Sequence, residues 1–376
     1  MRILQLGKFY PLLGGVEIVM HRLALGLSER GYRCDLLYAS QDGETSTIEI
    51  NPQCRLYRCK TFLEAKATMI SPGMILQLRR MRKDYDIIHI HHPDPMAALA
   101  LFLSGFKGKV VLHWHSDIIR QHHLLKFYKP LQSWLIRRAD LIVGTSPVYI
   151  QESDALNHVQ HKTVCVPIGV LDPSEQKEEV PVDLDSRYPG KKIIFTVGRL
   201  VLYKGLNHLI EVAKYIPDDY VLLIGGKGFL HDTLQQQIET EGLQDKVKLI
   251  GFIPQGEVVS YFKACKIFCL ASIDKREAFA IVQVQALAFG KPIVSTNIPG
   301  SGVPWVNQDG ESGFTVEPCN SKALAEAIVR LCTDEELYQR LSRQARARYE
   351  RLFRYDQMIN RMETLYNNLF PEKNNR

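Results

Sequence analysis

Short apolar runs separated by longer amphipathic stretches recur from one end of this chain to the other, and that rhythm admits few folds. Ile3–Leu6, Asp35–Ala39, Asp86–His91, Lys109–His113, Leu141–Thr145 and Thr163–Pro167 read as a first series of strands. A second series follows at Ile193–Val197, Tyr220–Ile224, Val247–Ile250, Ile267–Leu270 and Pro292–Ser295. Helical patterns fill most of the gaps, which is the signature of βα units around parallel sheets. Between the two series lies a stretch rich in Pro, Asp and Glu that lacks apolar periodicity and reads as a connection. A chain of 376 residues is long enough for two such units. The expected architecture is therefore α/β, with two Rossmann-like doubly wound domains facing a cleft. Residues 1–172 form the first, 173–190 a linker and 191–354 the second, and 355–376 form a C-terminal helix that packs back on the first. In open sheets of this kind ligands bind outside the carboxyl ends of the strands, so the loops that follow strands are where chemistry is expected.

Composition narrows the class. Hydrophobic residues at 45% and charged residues at 23% exclude a disordered or fibrous chain. The net charge of +6 suits a protein that handles phosphorylated ligands or visits an anionic surface. It is too small to imply nucleic acid without a recognition motif, and none is visible. The opening residues read as a strand feeding a loop and lack the apolar core of a signal peptide. The longest apolar stretch, Met96–Phe106, is about half of the ~20 residues of a spanning helix. Eight cysteines are scattered without a C-x-x-C pair, as expected of reduced thiols in the cytoplasm.

Three loops carry the residues of interest. Lys8–Glu17 follows the first strand and precedes an amphipathic helix over Ile18–Arg30. Its Gly14 and Gly15 can bring backbone N–H groups close to a phosphate, although a plain flexible turn would look the same. Gly198-Arg-Leu-Val-Leu-Tyr-Lys-Gly205 follows the strand that ends at Val197. Arg199 and Lys204 there place two cations at a strand's carboxyl end, where they can neutralise a diphosphate leaving group without a metal. The third segment, Glu277-Ala-Phe-Ala-Ile-Val-Gln-Val-Gln285, enters a helix after the strand Ile267–Leu270. Backbone N–H groups of Ala278, Phe279, Ala280, Ile281 and Val282 would meet phosphate or sugar hydroxyls at that N-terminus. Glu277 and Gln285 fall on roughly one helix face, about two turns apart.

Together, the G-R-L-x4-K-G turn, the E-x7-Q segment running into Phe289-Gly-Lys-Pro292, and the early Gly-Gly-Val-Glu loop resemble glycosyltransferase family 4. That resemblance implies the GT-B fold and a retaining, metal-independent hexosyltransferase with no cofactor. It implies a first domain that binds acceptor and a second that binds a nucleotide diphosphate-sugar, GDP- or UDP-linked. By the same resemblance Arg199 and Lys204 grip the donor diphosphate, Glu277 holds the transferred sugar, and Gly14 and Gly15 lie near the donor phosphate. Phe252, Ala278–Val282 and Gln285 join them on the donor. His115, in Leu-His-Trp-His-Ser-Asp, matches a histidine near the transferred sugar, with Asp117 and Glu17 on the acceptor. The acceptor is expected to be a glycan or lipid-linked glycan of surface polysaccharide or lipopolysaccharide assembly. Two positions depart from the pattern: Gln285 stands where a second Glu is usual, and Ala280 where Gly is usual. A Gln forgoes the charge-assisted hydrogen bonds of a carboxylate. A nucleotide-sugar-binding homologue with weak turnover therefore remains an alternative.

Histidines crowd between positions 89 and 123. His89 and His91 share one face of a strand, as do His113 and His115. With Asp94 or Asp117 these could build a zinc site, so a metal-dependent hydrolase is a third reading. Against it, no H-E-x-x-H is present. No D-x-D follows a strand; Asp183 and Asp185 fall in the linker. Lys126–Arg138 mixes aromatics and cations at helical spacing, and with Arg79, Arg80, Arg82 and Lys83 it could form a basic apolar face. Such a face would bring a cytoplasmic enzyme to an anionic inner leaflet; an ordinary helix with core aromatics would share the pattern.

Overall fold

The computed structural model describes residues 1–10, 14–41, 43–65, 68–118, 122–175 and 181–370. The chain divides into two compact units, Met1–Ile168 with Met358–Arg376, and Gly169–Gln357. Residues 169–172 sit in the second unit for identifiable reasons. The Val170 carbonyl accepts a hydrogen bond from the Tyr349 hydroxyl at 3.0 Å, and Asp172 is ion-paired with Arg346. Farther along the stretch expected as a linker, Leu184 is buried and the Val182 N–H donates to Ser260 Oγ at 3.1 Å; residues 176–180 lie outside the described residues.

In the first unit the strands are β1 (Arg2–Tyr10), β2 (Arg33–Ser40), β3 (Ser46–Asn51), β4 (Cys54–Lys60), β5 (Leu63–Ala65), β6 (Thr68–Ile70), β7 (Ile87–His92), β8 (Lys109–Trp114), β9 (Leu141–Gly144) and β10 (Thr163–Cys165). Eight of them form one sheet in the order β10-β9-β8-β7-β1-β2-β4-β3, parallel except for the edge pair β3–β4. β5 and β6 make a separate antiparallel pair. Helices α1 (Gly15–Ser28), α2 (Pro72–Met81), α3 (Pro95–Ser104) and α4 (His122–Arg138) follow strands as crossovers. The start of α3 has a local cause. Asp94 caps α3 by accepting from the Ala97 N–H at 3.0 Å, and Pro95 occupies the first turn, where no N–H is needed. Strands β3 to β6 were not among the expected ones. β3 lies at the edge of the sheet with no buried residue, so it never forms the apolar run of a strand buried on both faces.

The second unit's strands are β11 (Lys192–Val197), β12 (Tyr220–Gly225), β13 (Val247–Gly251), β14 (Ile267–Leu270), β15 (Ile293–Thr296) and β16 (Gly313–Val316). They lie in the order β13-β12-β11-β14-β15-β16, all parallel. The chain winds outward from β11 in one direction, then returns to β14 and winds outward in the other. Ligands of doubly wound sheets bind at that reversal. Phe195 of β11 and Phe268 of β14 are register partners there. Both rings pack with Phe262 of the helix Gln255–Ala264, 5.3 Å and 5.6 Å away between centroids. This buried aromatic cluster fixes the separation of the two strands whose ends carry the site.

After β14 the chain enters the helix Ile281–Ala288 through Ala280, whose φ of 63° and ψ of 74° are left-handed. A Cβ in that conformation costs roughly 1–2 kcal/mol, and glycine would give back roughly 0.5–1 kcal/mol in unfolded-chain entropy. Ala280→Gly should therefore raise the unfolding free energy by up to about 1 kcal/mol, measured by urea denaturation; a loss of stability would contradict this account of the turn.

Candidate active site

The loop after β11 is held by backbone contacts that only glycine permits. Gly205 has φ +60°, and a Cβ there would stand 2.2 Å from the Ala271 carbonyl oxygen. Its absence lets the turn at Leu202–Lys204 lie directly on the residues after β14. The Ile273 N–H then donates to the Tyr203 carbonyl at 2.8 Å, joining the two loops. Gly226, at φ +134°, allows the same close approach to the Gly198 carbonyl.

The joined loops bring the expected charges together. Lys204 Nζ lies 2.5 Å from Glu277 Oε2, with the two side chains 11% and 10% exposed. The same carboxylate oxygen accepts from Ser272 Oγ at 2.9 Å. Arg199 is exposed and its Nη2 donates to the Tyr203 hydroxyl at 3.2 Å. The guanidinium of Arg276 lies 5.3 Å from the Tyr203 ring centre and pairs with Asp274. Three cations therefore surround one tyrosine at the carboxyl ends of β11 and β14, with one buried carboxylate among them. Such a cluster can receive a polyanion, and Glu277 can accept hydrogen bonds from hydroxyls next to it. Tyr203, Ser272 and Arg276 were not singled out from the sequence. Tyr203 lay inside the quoted turn, and Ser272 and Arg276 fall between β14 and Glu277, but nothing in their spacing marked them.

The remaining donor-side expectations fall in different places. Ala278 and Ala280 are buried, while Ile281, Val282 and Gln285 are half-buried on the helix Ile281–Ala288, whose first turn has no side-chain cap. The ring of Phe279 packs edge-on against Phe353 and beside Trp305, so its side chain belongs to the core and only its backbone is available to a ligand. Phe252 is exposed after β13, with Lys227 Nζ 5.2 Å above its ring.

In the first unit Gly14 precedes α1 as its N-terminal flanking residue and Gly15 opens the helix. Glu17 is buried and its carboxylate lies over Gly14, where a Cβ would come within 2.4 Å of Oε2. Residues 11–13 of that loop lie outside the described residues. Asp117 is half-buried and committed: Oδ1 accepts from Trp114 Nε1 at 3.0 Å and from Ser153 Oγ at 2.7 Å. His115 is buried and its Nε2 lies 2.9 Å from His91 Nδ1.

His89, His91, His113 and His115 tile one face of β7 and β8. Adjacent rings are stacked, with centroids 4.1 to 5.3 Å apart. One ring nitrogen from each of His89, His91 and His113 lies within 4.8 Å of the others. The geometry does not suit a tetrahedral ion. Bonds of about 2.0–2.1 Å require ligand nitrogens about 3.4 Å apart with lone pairs converging, whereas rings inclined by 6° to 24° direct theirs side by side. Nor do the carboxylates assemble, since Asp94 caps α3 and Asp117 is held by Trp114. Burial instead holds two of the four rings neutral: His113 is pushed down to about 3 and His89 well below its usual value, the latter also by its neighbour His113.

Comparison with known proteins gives this geometry its class. The profile of Glycosyltransferase Family 4 matches residues 13–171, and that of Glycosyl transferases group 1 matches residues 185–348. O-antigen chain mannosyltransferase C of Escherichia coli is 31% identical over 377 residues, covering 99% of this chain and 100% of the relative. D-rhamnosyltransferase WbpZ of Pseudomonas aeruginosa is 30% identical, over 94% and 92% of the two chains. Among solved structures, sucrose-phosphate synthase from Thermosynechococcus elongatus superposes with a TM-score of 0.78 at 20% identity, covering 98% of this chain and 99% of that one. Anabaena HepE in complex with UDP and glucose gives 0.75 at 19% identity, over 98% and 99%. The chain belongs to the family 4 glycosyltransferases and has the GT-B fold.

Neutral His89 and His113 make stability depend on pH with a definite sign. Below the ordinary histidine value of about 6.5 the unfolded chain takes up protons that folded His89 and His113 refuse. The folded state then loses ground as pH falls from about 6.5 toward 3, by roughly 1.4 kcal/mol per pH unit for each residue. Urea midpoints should fall between pH 7 and pH 5, and His113→Phe should flatten that dependence; a pH-independent midpoint over this range would rule out neutral burial.

Proposed function

We propose that this glycosyltransferase moves a hexose, with retention of anomeric configuration and without a metal, from a GDP- or UDP-linked donor to a glycan or lipid-linked acceptor in surface polysaccharide assembly. The observation that carries the proposal is the cluster of Arg199, Lys204 and Glu277 at the strand reversal. The two cations neutralise the donor diphosphate, doing electrostatically what a divalent ion would otherwise do. Glu277, oriented by Ser272 and Lys204, accepts from hydroxyls of the transferred sugar. The exposed ring of Phe252 is assigned to the nucleotide base, and Gln285 to the ribose. Backbone N–H groups of Ala278–Val282, with Gly14 and Gly15, serve the phosphates. His115 is assigned to the reacting sugar, with Asp117 and Glu17 on the acceptor side. The names of the two relatives, a mannosyltransferase and a rhamnosyltransferase, support a hexose and an O-antigen-type acceptor.

The first unit also suits a lipid-linked acceptor. α3 packs between α2 and α4 and exposes Leu99, Phe102 and Leu103. Exposed Arg79, Arg80 and Lys83 flank it at α2, and exposed Lys129 and Arg137 at α4. None of the three helices contains an Asp or Glu; the side chains of 122–127, Lys126 among them, lie outside the described residues. An apolar strip between two cationic flanks matches an anionic bilayer surface. No helix among the described residues is long and apolar enough to cross a membrane.

A second reading, a donor-binding homologue with weak turnover, rests on Gln285 and on the strained Ala280. Calorimetry with UDP and GDP in the presence of chelator, followed by transfer assays, separates the two. Transfer should persist in chelator, and Arg199→Ala should lower it by roughly 10²–10³-fold with an unchanged urea midpoint. Full activity of that variant would remove Arg199 from the site, and binding without transfer would favour the weak homologue. On vesicles, the protein should co-sediment with anionic but not neutral lipid. Phe102→Ser combined with Leu103→Ser should release it, and equal sedimentation of both proteins would remove the bilayer assignment.

A further inference from the structure

Tyr203 stands among the cations of the second unit's site with one polar bond left to make. Its backbone is fixed, because its carbonyl accepts from the Ile273 N–H at 2.8 Å. Its half-buried ring is fixed as well. The Arg276 guanidinium lies over it, 5.3 Å from its centre, and Lys204 Nζ lies 5.8 Å from the same centre; an aromatic face attracts both. Arg276 is itself anchored on Asp274, whose two carboxylate oxygens accept from its Nε at 2.7 and 2.9 Å. At the edge of the ring the hydroxyl meets Arg199 Nη2 at 3.2 Å. A guanidinium carries only donors, so in this bond the phenol oxygen accepts. The hydroxyl's own hydrogen therefore cannot go to Arg199, nor to Arg276 or Lys204, whose charged groups likewise accept nothing. Among the described residues no other group hydrogen-bonds to that hydroxyl.

We infer that Tyr203 is a further donor-binding residue, whose hydroxyl accepts from Arg199 and donates its hydrogen to a nonbridging oxygen of the donor diphosphate. The inference rests on the reading above in which Arg199 grips that diphosphate, and it adds a neutral donor to the cations. Three positive groups around the ring turn the hydroxyl hydrogen away from themselves, toward whatever anion they gather. Accepting from a cation also polarises the O–H bond and makes it a stronger donor. Arg199 Nη2 and the hydroxyl, 3.2 Å apart, can reach one phosphate group together, each through a charge-assisted bond. The same contact serves Arg199 before the donor arrives. A long exposed side chain loses rotamer freedom on binding, and a guanidinium already held at Nη2 has less of it to lose.

The test is calorimetry with whichever of UDP and GDP the wild-type chain binds, on the wild type, Tyr203→Phe, Arg199→Ala and the double variant. Tyr203→Phe keeps the ring among the cations and removes a single oxygen, so its urea midpoint should match the wild type's. Its affinity for the nucleoside diphosphate should fall about tenfold, the worth of one hydrogen bond to a charged acceptor. Affinity for the matching nucleoside, uridine or guanosine at millimolar concentration followed by NMR, should stay unchanged. An equal loss for the nucleoside would mark general loosening of the loop and overturn the assignment. The double variant separates direct contact from mere support of Arg199. A hydroxyl that donates to phosphate still matters when Arg199 is gone, so Tyr203→Phe should weaken binding further in the Arg199→Ala background. No further loss there, or full affinity of Tyr203→Phe alone, overturns the donation. Absent binding of both UDP and GDP by the wild type would show separately, as failure of the donor reading on which the inference rests.

Discussion

The bridge between Lys204 and Glu277 ties together the two loops on which the second unit's site depends. One residue comes from the turn after β11 and the other from the segment after β14, the strands on either side of the reversal in strand order. A nearly buried ion pair contributes little net stability, because desolvating both groups offsets their attraction. Its value here is positional. Ser272 and Lys204 both hold Oε2 of the carboxylate, so Glu277 keeps its orientation before any ligand arrives. Two backbone features make the pair possible. Gly205 lets one loop lie on Ala271, and the Phe195–Phe268–Phe262 cluster keeps the strands at fixed separation. Preorganised charge of this kind acts without reorganisation at the moment of reaction.

The first unit solves a different problem. A parallel sheet is normally apolar on both faces, yet one face of β7 and β8 carries four imidazoles. His89 Nε2 and both nitrogens of His113 have no hydrogen-bond partner among the described residues, a desolvation cost that neutral rings keep small. Stacking lets the rings pack like aromatics, while the C-terminal helix Tyr355–Asn368 supplies Tyr366, whose hydroxyl meets His89 Nδ1. Gln5 lies between Tyr366 and the layer, its Nε2 3.3 Å from the Tyr366 hydroxyl and its Oε1 2.8 Å from His91 Nε2.

Much of this organisation was legible in the residues. Strands buried on both faces announce themselves as apolar runs, and each of the eleven runs read as strands overlaps a strand of the two sheets, with ends off by up to four residues at β1 and up to two elsewhere. The edge strands β3 and β16 did not stand out, because partial exposure at the edge of a sheet removes the run. The places of Arg199, Lys204 and Glu277 in the loops after β11 and β14 were legible because the strands before them are apolar runs. Tyr203 and Ser272 were not, since a tyrosine or serine in a loop has no spacing that marks it.

The histidines show where sequence stops. Alternation along two strands places His89 with His91 and His113 with His115, and that much is fixed by the period of a β-strand. Whether such pairs hold an ion, line a pocket or pack as a neutral layer depends on the angles between rings and on what Gln5 and Tyr366, hundreds of residues apart, bring to them. The amino-acid sequence by itself determined two doubly wound sheets and the loops that carry charge at their strand ends, because burial patterns and glycine positions are local. Tertiary structure alone decided that Lys204 meets Glu277, that Phe279 turns into the core, and that the imidazoles stack rather than converge, because each depends on distances between elements that no local pattern encodes.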